Sequence, residues 1–147
     1  MKNTAPLRSR AASMRQILLQ EAANIAAKNG FAAVTLQAVA DASNLTKGGL
    51  LHHFPNKRAL IDAVLAMLLE EMQTEIEVLL APDPEPYGRF TRAYLEQALN
   101  AHKNGISKAL WNSALADTHL NRTWQKWFYA QVEQGGDNEN QIELEAV

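Results

Sequence analysis

The apolar residues at the start of the chain recur at helical spacing only after an initial polar stretch. Residues 1–11 are polar, contain three basic residues and Pro6, and are predicted to form a flexible arm. Asn29-Gly30 ends the first predicted helix, because glycine readily adopts the left-handed conformation of a C-cap. That helix begins at about Ala12 and has an apolar face formed by Leu18, Ala22, Ile25 and Ala26.

Two short helices follow, joined by a tight turn. Thr35 is a good N-cap for the first, which ends near Ser43-Asn44. Thr46 caps the second, which reaches His53 before Phe54-Pro55 stops it. Helices this short are marginal alone, so we expect apolar residues from the first helix and the turns to support them. The predicted arrangement is a helix-turn-helix.

A fourth and much longer helix is predicted from its N-cap Asn56 to about Leu80. Three prolines in residues 81–86 cannot continue it, so this segment is a linker. Three more helices are predicted, over about 87–103, about 107–117, and from the N-cap Asn121 to about 134. No strand pattern persists. The predicted fold is all-α: an N-terminal three-helix helix-turn-helix domain (residues 1–56) joined by the long fourth helix to a C-terminal helical bundle (residues 57–147).

The balance of basic and acidic residues changes near the boundary between the two predicted domains. Residues 1–58 contain eight basic and two acidic side chains, whereas residues 59–147 contain six basic and fourteen acidic ones. A basic segment joined to an acidic one indicates a polyanionic partner at one end only, although a chance division of a solvated surface would give the same counts. The absence of cysteine excludes disulfides and thiolate metal sites and fits a cytoplasmic protein. The chain contains no apolar run of about 18 residues, so no membrane span is predicted.

Three cations occupy positions that a helix disfavours. Lys47 begins the predicted third helix, and Lys57 and Arg58 begin the fourth. Cations at a helix N-terminus oppose the macrodipole by about 0.3–1 kcal/mol each, and an external phosphate would resolve this conflict. Gly48 and Gly49 each cost about 1 kcal/mol relative to alanine inside a helix, which indicates that another molecule approaches the backbone closely. The alternative is solvated lysines on a weak helix.

The stretch from Gly30 to Leu60 resembles the DNA-binding domain of TetR/AcrR-type transcription regulators. The resemblance covers about residues 12–65 and rests on the order and spacing of Gly30-Phe31, Thr35-Leu36, Thr46-Lys47-Gly48, His53-Phe54 and Lys57-x-x-Leu60. It implies that the second short helix enters the major groove of a double-stranded DNA operator.

The resemblance also implies which residues touch DNA. Family members often have a phosphate-contacting tyrosine where this chain has Leu51, and His52 is expected to take over that contact. Lys57 would also contact phosphate, and the arm would reach the minor groove or the backbone. The full implied set is Arg8, Arg10, Thr35, Gln37, Thr46, Lys47, Gly48, Gly49, Leu51, His52 and Lys57.

Beyond the linker, the family has an inducer pocket among helices four to seven. The residues expected to line it, around a small apolar or aromatic effector, are Met67, Phe90, Tyr94 and Trp111. The alternative is that each belongs to an ordinary core, with Trp124 and Trp127 facing a partner subunit. The family pairs subunits through two long C-terminal helices, of which only one could begin before Val147, so the second domain is expected to be incomplete.

The predicted function is a homodimeric, DNA-binding transcription regulator, a repressor that a small effector releases from its operator. The alternative is a shortened protein that pairs with a full-length homologue and inhibits it. No enzyme activity, catalytic residue, cofactor or metal site is predicted. Adjacent residues such as His52 and His53 point about 100° apart on a helix, and neither a nucleophile elbow nor a phosphate-binding glycine loop occurs.

Overall fold

The computed structural model describes residues 7–101 and 105–134, which form seven α-helices and one 3₁₀ turn. Within these residues there is no strand, so the all-α class is confirmed. The 3₁₀ turn is Phe31–Ala33, and the helices are α1 (Leu7–Asn29), α2 (Leu36–Ala42), α3 (Lys47–Leu51), α4 (Lys57–Leu80), α5 (Arg89–Ala101), α6 (Gly105–Ala116) and α7 (Thr118–Gln134). None of these helices is both long and apolar enough to cross a membrane.

The first helix begins earlier than predicted. Arg8 and Arg10 lie in the first turn of α1, which corrects the expectation of a flexible arm for residues 7–11. Arginine and alanine are good helix formers, so the helix extends beyond its apolar face. Ser13 Oγ also donates a hydrogen bond to the carbonyl oxygen of Ser9, at 2.9 Å. The remainder of the predicted arm, residues 1–6, lies outside the described residues.

The last helix also begins before its predicted N-cap. Asp117 caps α7, since its Oδ1 accepts from the backbone N–H of Leu120 at 3.0 Å. Asn121, the predicted cap, lies inside the helix and donates from Nδ2 to the carbonyl oxygen of Leu115. The early start buries Leu120, which is 1% exposed. The other predicted ends differ by a few residues, and the predicted end of helix five near Lys103 and the tail from Gly135 lie outside the described residues.

One apolar core joins the helix-turn-helix segment to the rest of the chain. Phe54 at the end of the segment and Leu60 on α4 are fully buried. The same cluster continues into α6 through Leu110 and into α7 through Leu120. A second cluster lies at the far end of α4, where Phe90 of α5 packs on it. The fourth helix therefore runs through both halves, as predicted.

The proline-rich linker forms a corner between α4 and α5 that side-chain hydrogen bonds hold in place. Arg92 donates two hydrogen bonds to the Asp83 carboxylate, from Nε at 2.9 Å and from Nη2 at 3.1 Å. The same guanidinium donates to the carbonyl oxygens of Glu85 and Tyr87, at 2.8 and 2.6 Å. This bonding holds the pKa of Asp83 below its ordinary value. Arg89 adds a bond of 2.6 Å from Nη2 to the carbonyl oxygen of Leu80, near the end of α4.

A hydrogen bond from Phe31 to Ser113 ties the turn after α1 to α6. Gly30 ends α1 with φ 85° and ψ 161°, so φ is positive as expected, but the conformation differs from the left-handed helical one. The next residue, Phe31, donates its backbone N–H to Ser113 Oγ at 2.8 Å. A Cβ on Gly30 would lie 3.4 Å from the same oxygen, so this turn packs closely on α6.

We expect Ser113→Ala to lower the free energy of unfolding by about 1–3 kcal/mol, because it leaves the part-buried Phe31 N–H without an acceptor. The matched control is Asn112→Ala, an exposed position on the same helix, which should change stability by less than about 0.5 kcal/mol. Urea unfolding followed by circular dichroism measures both. Equal losses in the two variants would contradict a specific role for the bond.

Candidate nucleic-acid interface

The turn between α2 and α3 is closed by two backbone hydrogen bonds around Asn44. Leu45 N–H donates to the carbonyl oxygen of Ala40 at 2.9 Å, and Asn44 N–H donates to that of Asp41 at 3.2 Å. Asn44 has a positive φ of 55°, so the pattern is a Schellman motif with asparagine in the left-handed position. Leu45 packs partly buried against the core. The turn therefore fixes the direction in which α3 leaves α2.

Three predicted N-caps are confirmed by their side-chain hydrogen bonds. Thr35 Oγ1 accepts from Ala38 N–H at 3.0 Å, and Thr46 Oγ1 accepts from Gly49 N–H at 3.0 Å. Asn56 Oδ1 does the same for α4 at 2.8 Å. Both threonines are exposed. Since a hydroxyl that accepts a bond can still donate its own hydrogen, each can also reach a phosphate oxygen outside the protein.

The cations at the starts of α3 and α4 are exposed and have no carboxylate partner within residues 7–101 and 105–134. Lys47 is the first residue of α3, and Lys57 and Arg58 begin α4. Neither helix has an acidic residue in its first turn. No carboxylate in the part of the chain that the structure describes forms an ion pair with these three side chains. Their positive charge is therefore directed at solvent beside helix N-termini.

The two glycines of α3 differ in what surrounds them. A Cβ on Gly49 would lie 3.2 Å from Thr46 Oγ1, so glycine here makes room for the capping hydroxyl. A Cβ on Gly48 would come no closer than 4.0 Å to the same atom, which is ordinary contact. Gly48 is exposed. Packing within the described protein therefore explains Gly49 but gives no reason for Gly48.

Three further predicted DNA contacts lie on or beside α2 and α3. Gln37 is exposed on α2 and donates from Nε2 to Asp41 Oδ1 at 2.8 Å. Leu51 ends α3 with 39% of its surface exposed, and exposed His52 follows as the C-cap. Arg8 and Arg10 lie apart from this group in sequence, on the exposed first turn of α1.

Arg15 is a residue of this region that the sequence did not reveal. Its Nη1 donates to the carbonyl oxygen of His53 at 3.4 Å, and its guanidinium carbon lies 4.4 Å from the centre of the Phe54 ring. Arg15 thus braces the end of the helix-turn-helix from α1 by a hydrogen bond and a cation–π contact. The only signal in the sequence is a basic residue next to the buried face that begins at Leu18.

The predicted effector residues divide among a set of cavities and the core. A cavity of about 410 Å³, called the main cavity here because it lies among helices of the predicted effector region, is formed by α4, α5 and α6, and Trp111 lines it. A larger and more polar cavity of about 660 Å³ lies elsewhere, beside the start of α4. Trp111 also lines a smaller one of about 180 Å³, together with Tyr94. Met67 lines another of about 100 Å³. Phe90 lines none of these cavities; it is 3% exposed and packs on Tyr94 and Phe128, with ring centres 6.0 and 5.8 Å away.

The described residues contain no group of three histidine, cysteine, aspartate or glutamate side chains that could hold a metal ion. The groups exposed around α3 and the start of α4 are lysine, arginine, histidine and hydroxyl side chains. Such groups bind phosphate oxygens by charge and hydrogen bonding.

Comparison with known proteins finds a family model and relatives that match the helix-turn-helix segment. The model of bacterial regulatory proteins of the tetR family matches residues 18–64. The chain is 31% identical over 87 residues to the HTH-type transcriptional repressor KstR2 of Mycolicibacterium smegmatis, covering 59% of this chain and 42% of the repressor. It is 30% identical over 102 residues to KstR2 of Rhodococcus jostii, covering 69% and 47%. The chain thus spans about half the length of the curated relatives it matches.

Solved structures share the fold. The ketosteroid transcriptional regulator KstR2 of Mycobacterium tuberculosis superposes with a TM-score of 0.61 at 20% identity, covering 82% of this chain and 63% of that one. The probable transcriptional regulatory protein RHA5900 superposes with a TM-score of 0.53 at 21% identity, covering 85% and 73%. The helix-turn-helix segment, residues 18–64, therefore belongs to the tetR family of bacterial regulatory proteins, and the described chain shares the fold of these solved regulators.

Proposed function

We propose that this protein is a sequence-specific DNA-binding transcription regulator that acts as a repressor. The observation that carries the proposal is the exposed N-terminal end of α3, where Lys47 has no carboxylate partner among the described residues and packing within them gives Gly48 no reason to be glycine. This end lies in the segment that the family model matches. Cationic, hydrogen-bonding helix ends of this kind suit a phosphate backbone.

In this proposal α3 enters the major groove by its N-terminal end, as recognition helices do. Thr46, Lys47 and Gly48 then lie nearest the DNA, while Lys57 at the start of α4 binds a flanking phosphate. The contacts of His52, Gln37, Arg8 and Arg10 belong to the same proposal. Leu51, which is partly exposed, would provide an apolar contact.

The second half of the chain, within residues 57–147, is proposed to bind a small effector and to contribute to a homodimer. Two subunits would place their α3 helices in successive major grooves of a near-palindromic operator. Helix α4 would transmit the effect of the ligand to the helix-turn-helix, because Leu60 packs in the core of that segment and Met72 lines the main cavity. An effector that binds one arrangement of α4 better shifts the population toward subunit spacings that no longer fit the operator.

The test is binding of the full chain to the DNA that flanks its own coding region, followed by fluorescence anisotropy over a range of salt concentrations. We expect salt-dependent binding, and Lys47→Ala should weaken it and lower the salt slope by about one. His52→Ala should weaken it as well. The matched control is Lys28→Ala, an exposed lysine in the last turn of α1, which removes the same charge outside the proposed interface.

If the wild-type chain shows no salt-dependent DNA binding, the proposed function is wrong. Equal losses from Lys47→Ala and Lys28→Ala would mean that only overall charge matters and that α3 does not read DNA. Sizing by light scattering tests the subunit arrangement separately. A stable homodimer supports the repressor, whereas a monomer that pairs only with a longer relative supports the alternative of a heterodimeric inhibitor.

A further inference from the structure

The main cavity has an apolar floor that continues into the smaller cavity beside it. Leu68 and Met72 of α4 and Leu110 and Trp111 of α6 form the apolar part of its lining. Met72, Gln97 and Trp111 also line the smaller cavity, so the two spaces adjoin along these three side chains. A flat apolar molecule in the main cavity would therefore lie against an aromatic wall.

The mouth of the main cavity, defined by the exposed residues of its lining, contains two carboxylates. Glu71 and Glu75 lie one turn apart on α4, and both line it. None of the described residues that line this cavity is basic. Gln97 of α5 is 6% exposed and donates from Nε2 to Glu75 Oε2 at 2.9 Å, which fixes that carboxylate against the wall. Like charges at this spacing on a helix are mutually unfavourable, and within the described residues no cation offsets them here.

The charge on Glu71 is disfavoured in this position. Partial burial, followed by the nearby carboxylates of Glu75 and Glu70, raises its pKa above the ordinary value of 4.5. A positive charge at the cavity mouth would favour both carboxylates and offset this penalty. A negative charge would add a third anion to the pair, and a neutral group would leave the pair unbalanced.

We propose that the main cavity takes a cationic amphiphile, in which a protonated amine lies between Glu71 and Glu75 and an aromatic body lies against Trp111. The inference names the chemical class of the effector and in that respect rests on the proposed function, although binding can be measured without DNA. It narrows the expected apolar or aromatic ligand to one with a positive charge. Lys108 is a basic residue that lines the adjoining cavity, where it would favour an anionic ligand. Comparing cationic and anionic ligands therefore tests which of the two cavities is occupied.

The experiment compares three probes with one ring system: 1-naphthylmethylamine, 1-naphthylmethanol and 1-naphthoate. Isothermal titration calorimetry of the full chain should show binding of the amine about tenfold or more tighter than the alcohol and the carboxylate, since only the amine places a cation beside the two carboxylates. The double variant Glu71→Gln with Glu75→Gln keeps the shape of both side chains and should abolish the preference. Glu70→Gln removes one charge from the same helix outside the cavity lining and should retain it.

Tighter binding of the alcohol or the carboxylate, or an amine preference that survives the double variant, would overturn the inference. Circular dichroism and unfolding of the variants exclude a loss of fold as the cause. The DNA measurement is separate. A chain that binds DNA but shows no preference for the amine contradicts the inference and leaves the regulator intact, whereas a chain that prefers the amine but does not bind DNA contradicts the proposed function alone.

Discussion

Replacing Leu50 by alanine is expected to lower the free energy of unfolding by about 2–5 kcal/mol. Leu50 is fully buried in the cluster that contains Leu18 and Phe54. It is the only buried residue of α3, a helix of five residues, and a helix this short is not stable without tertiary packing. Losing the Leu50 side chain both opens a cavity and releases α3 from the core.

The neighbouring residue provides the matched control. Leu51 has the same side chain as Leu50 and lies on the same helix, but 39% of its surface is exposed. Leu51→Ala should therefore change stability by less than about 0.5 kcal/mol. Urea unfolding of the two variants measures the difference directly. A Leu51 variant as unstable as the Leu50 variant would mean that α3 faces the core differently from the orientation described.

Gly48→Ala is expected to act with opposite signs on stability and on DNA binding. Alanine is favoured over glycine in a helix by up to about 1 kcal/mol, and a Cβ at this position meets nothing closer than 4.0 Å. The variant should therefore unfold at a higher urea concentration. If DNA approaches the backbone at Gly48, the added methyl group should weaken operator binding by about tenfold or more, because a close contact is lost.

Gly49→Ala is the comparison for this prediction. Its Cβ would lie 3.2 Å from Thr46 Oγ1, so it disturbs the capping bond and should destabilise the protein by about 0.5–2 kcal/mol. Thermal unfolding and fluorescence anisotropy with flanking DNA measure both properties in both variants. A Gly48→Ala protein that is more stable and binds DNA as well as the wild type would place the close approach elsewhere.

Local sequence signals predicted the helix-turn-helix segment well. The caps Thr35, Thr46 and Asn56 were predictable because an N-cap depends on one side chain and a backbone N–H three residues later. The long helix α4 was predictable because its apolar period is uninterrupted up to the prolines. The all-α fold followed from these patterns and from the lack of any strand signal.

Features that depend on distant residues were not predictable. The start of α7 was wrong because Asp117 and Asn121 are both good N-caps, and burial of Leu120 decides between them. The brace of Arg15 on Phe54 and the bond between Gln97 and Glu75 join residues from different helices. Nothing in the local sequence of either partner indicates them, so the acidic mouth of the main cavity emerged only from the structure.

The corner held by Arg92 carries a consequence for how the chain can change in length. Surface connections usually tolerate insertions and deletions, because few contacts depend on their path. Here one guanidinium binds the Asp83 carboxylate and two carbonyl oxygens within the next four residues, so an added or lost residue would move at least one of these acceptors out of reach. The corner between α4 and α5 is therefore constrained in length as well as in composition, and variation in this part of the protein is more readily accommodated by substitution at its exposed prolines than by a change in residue number.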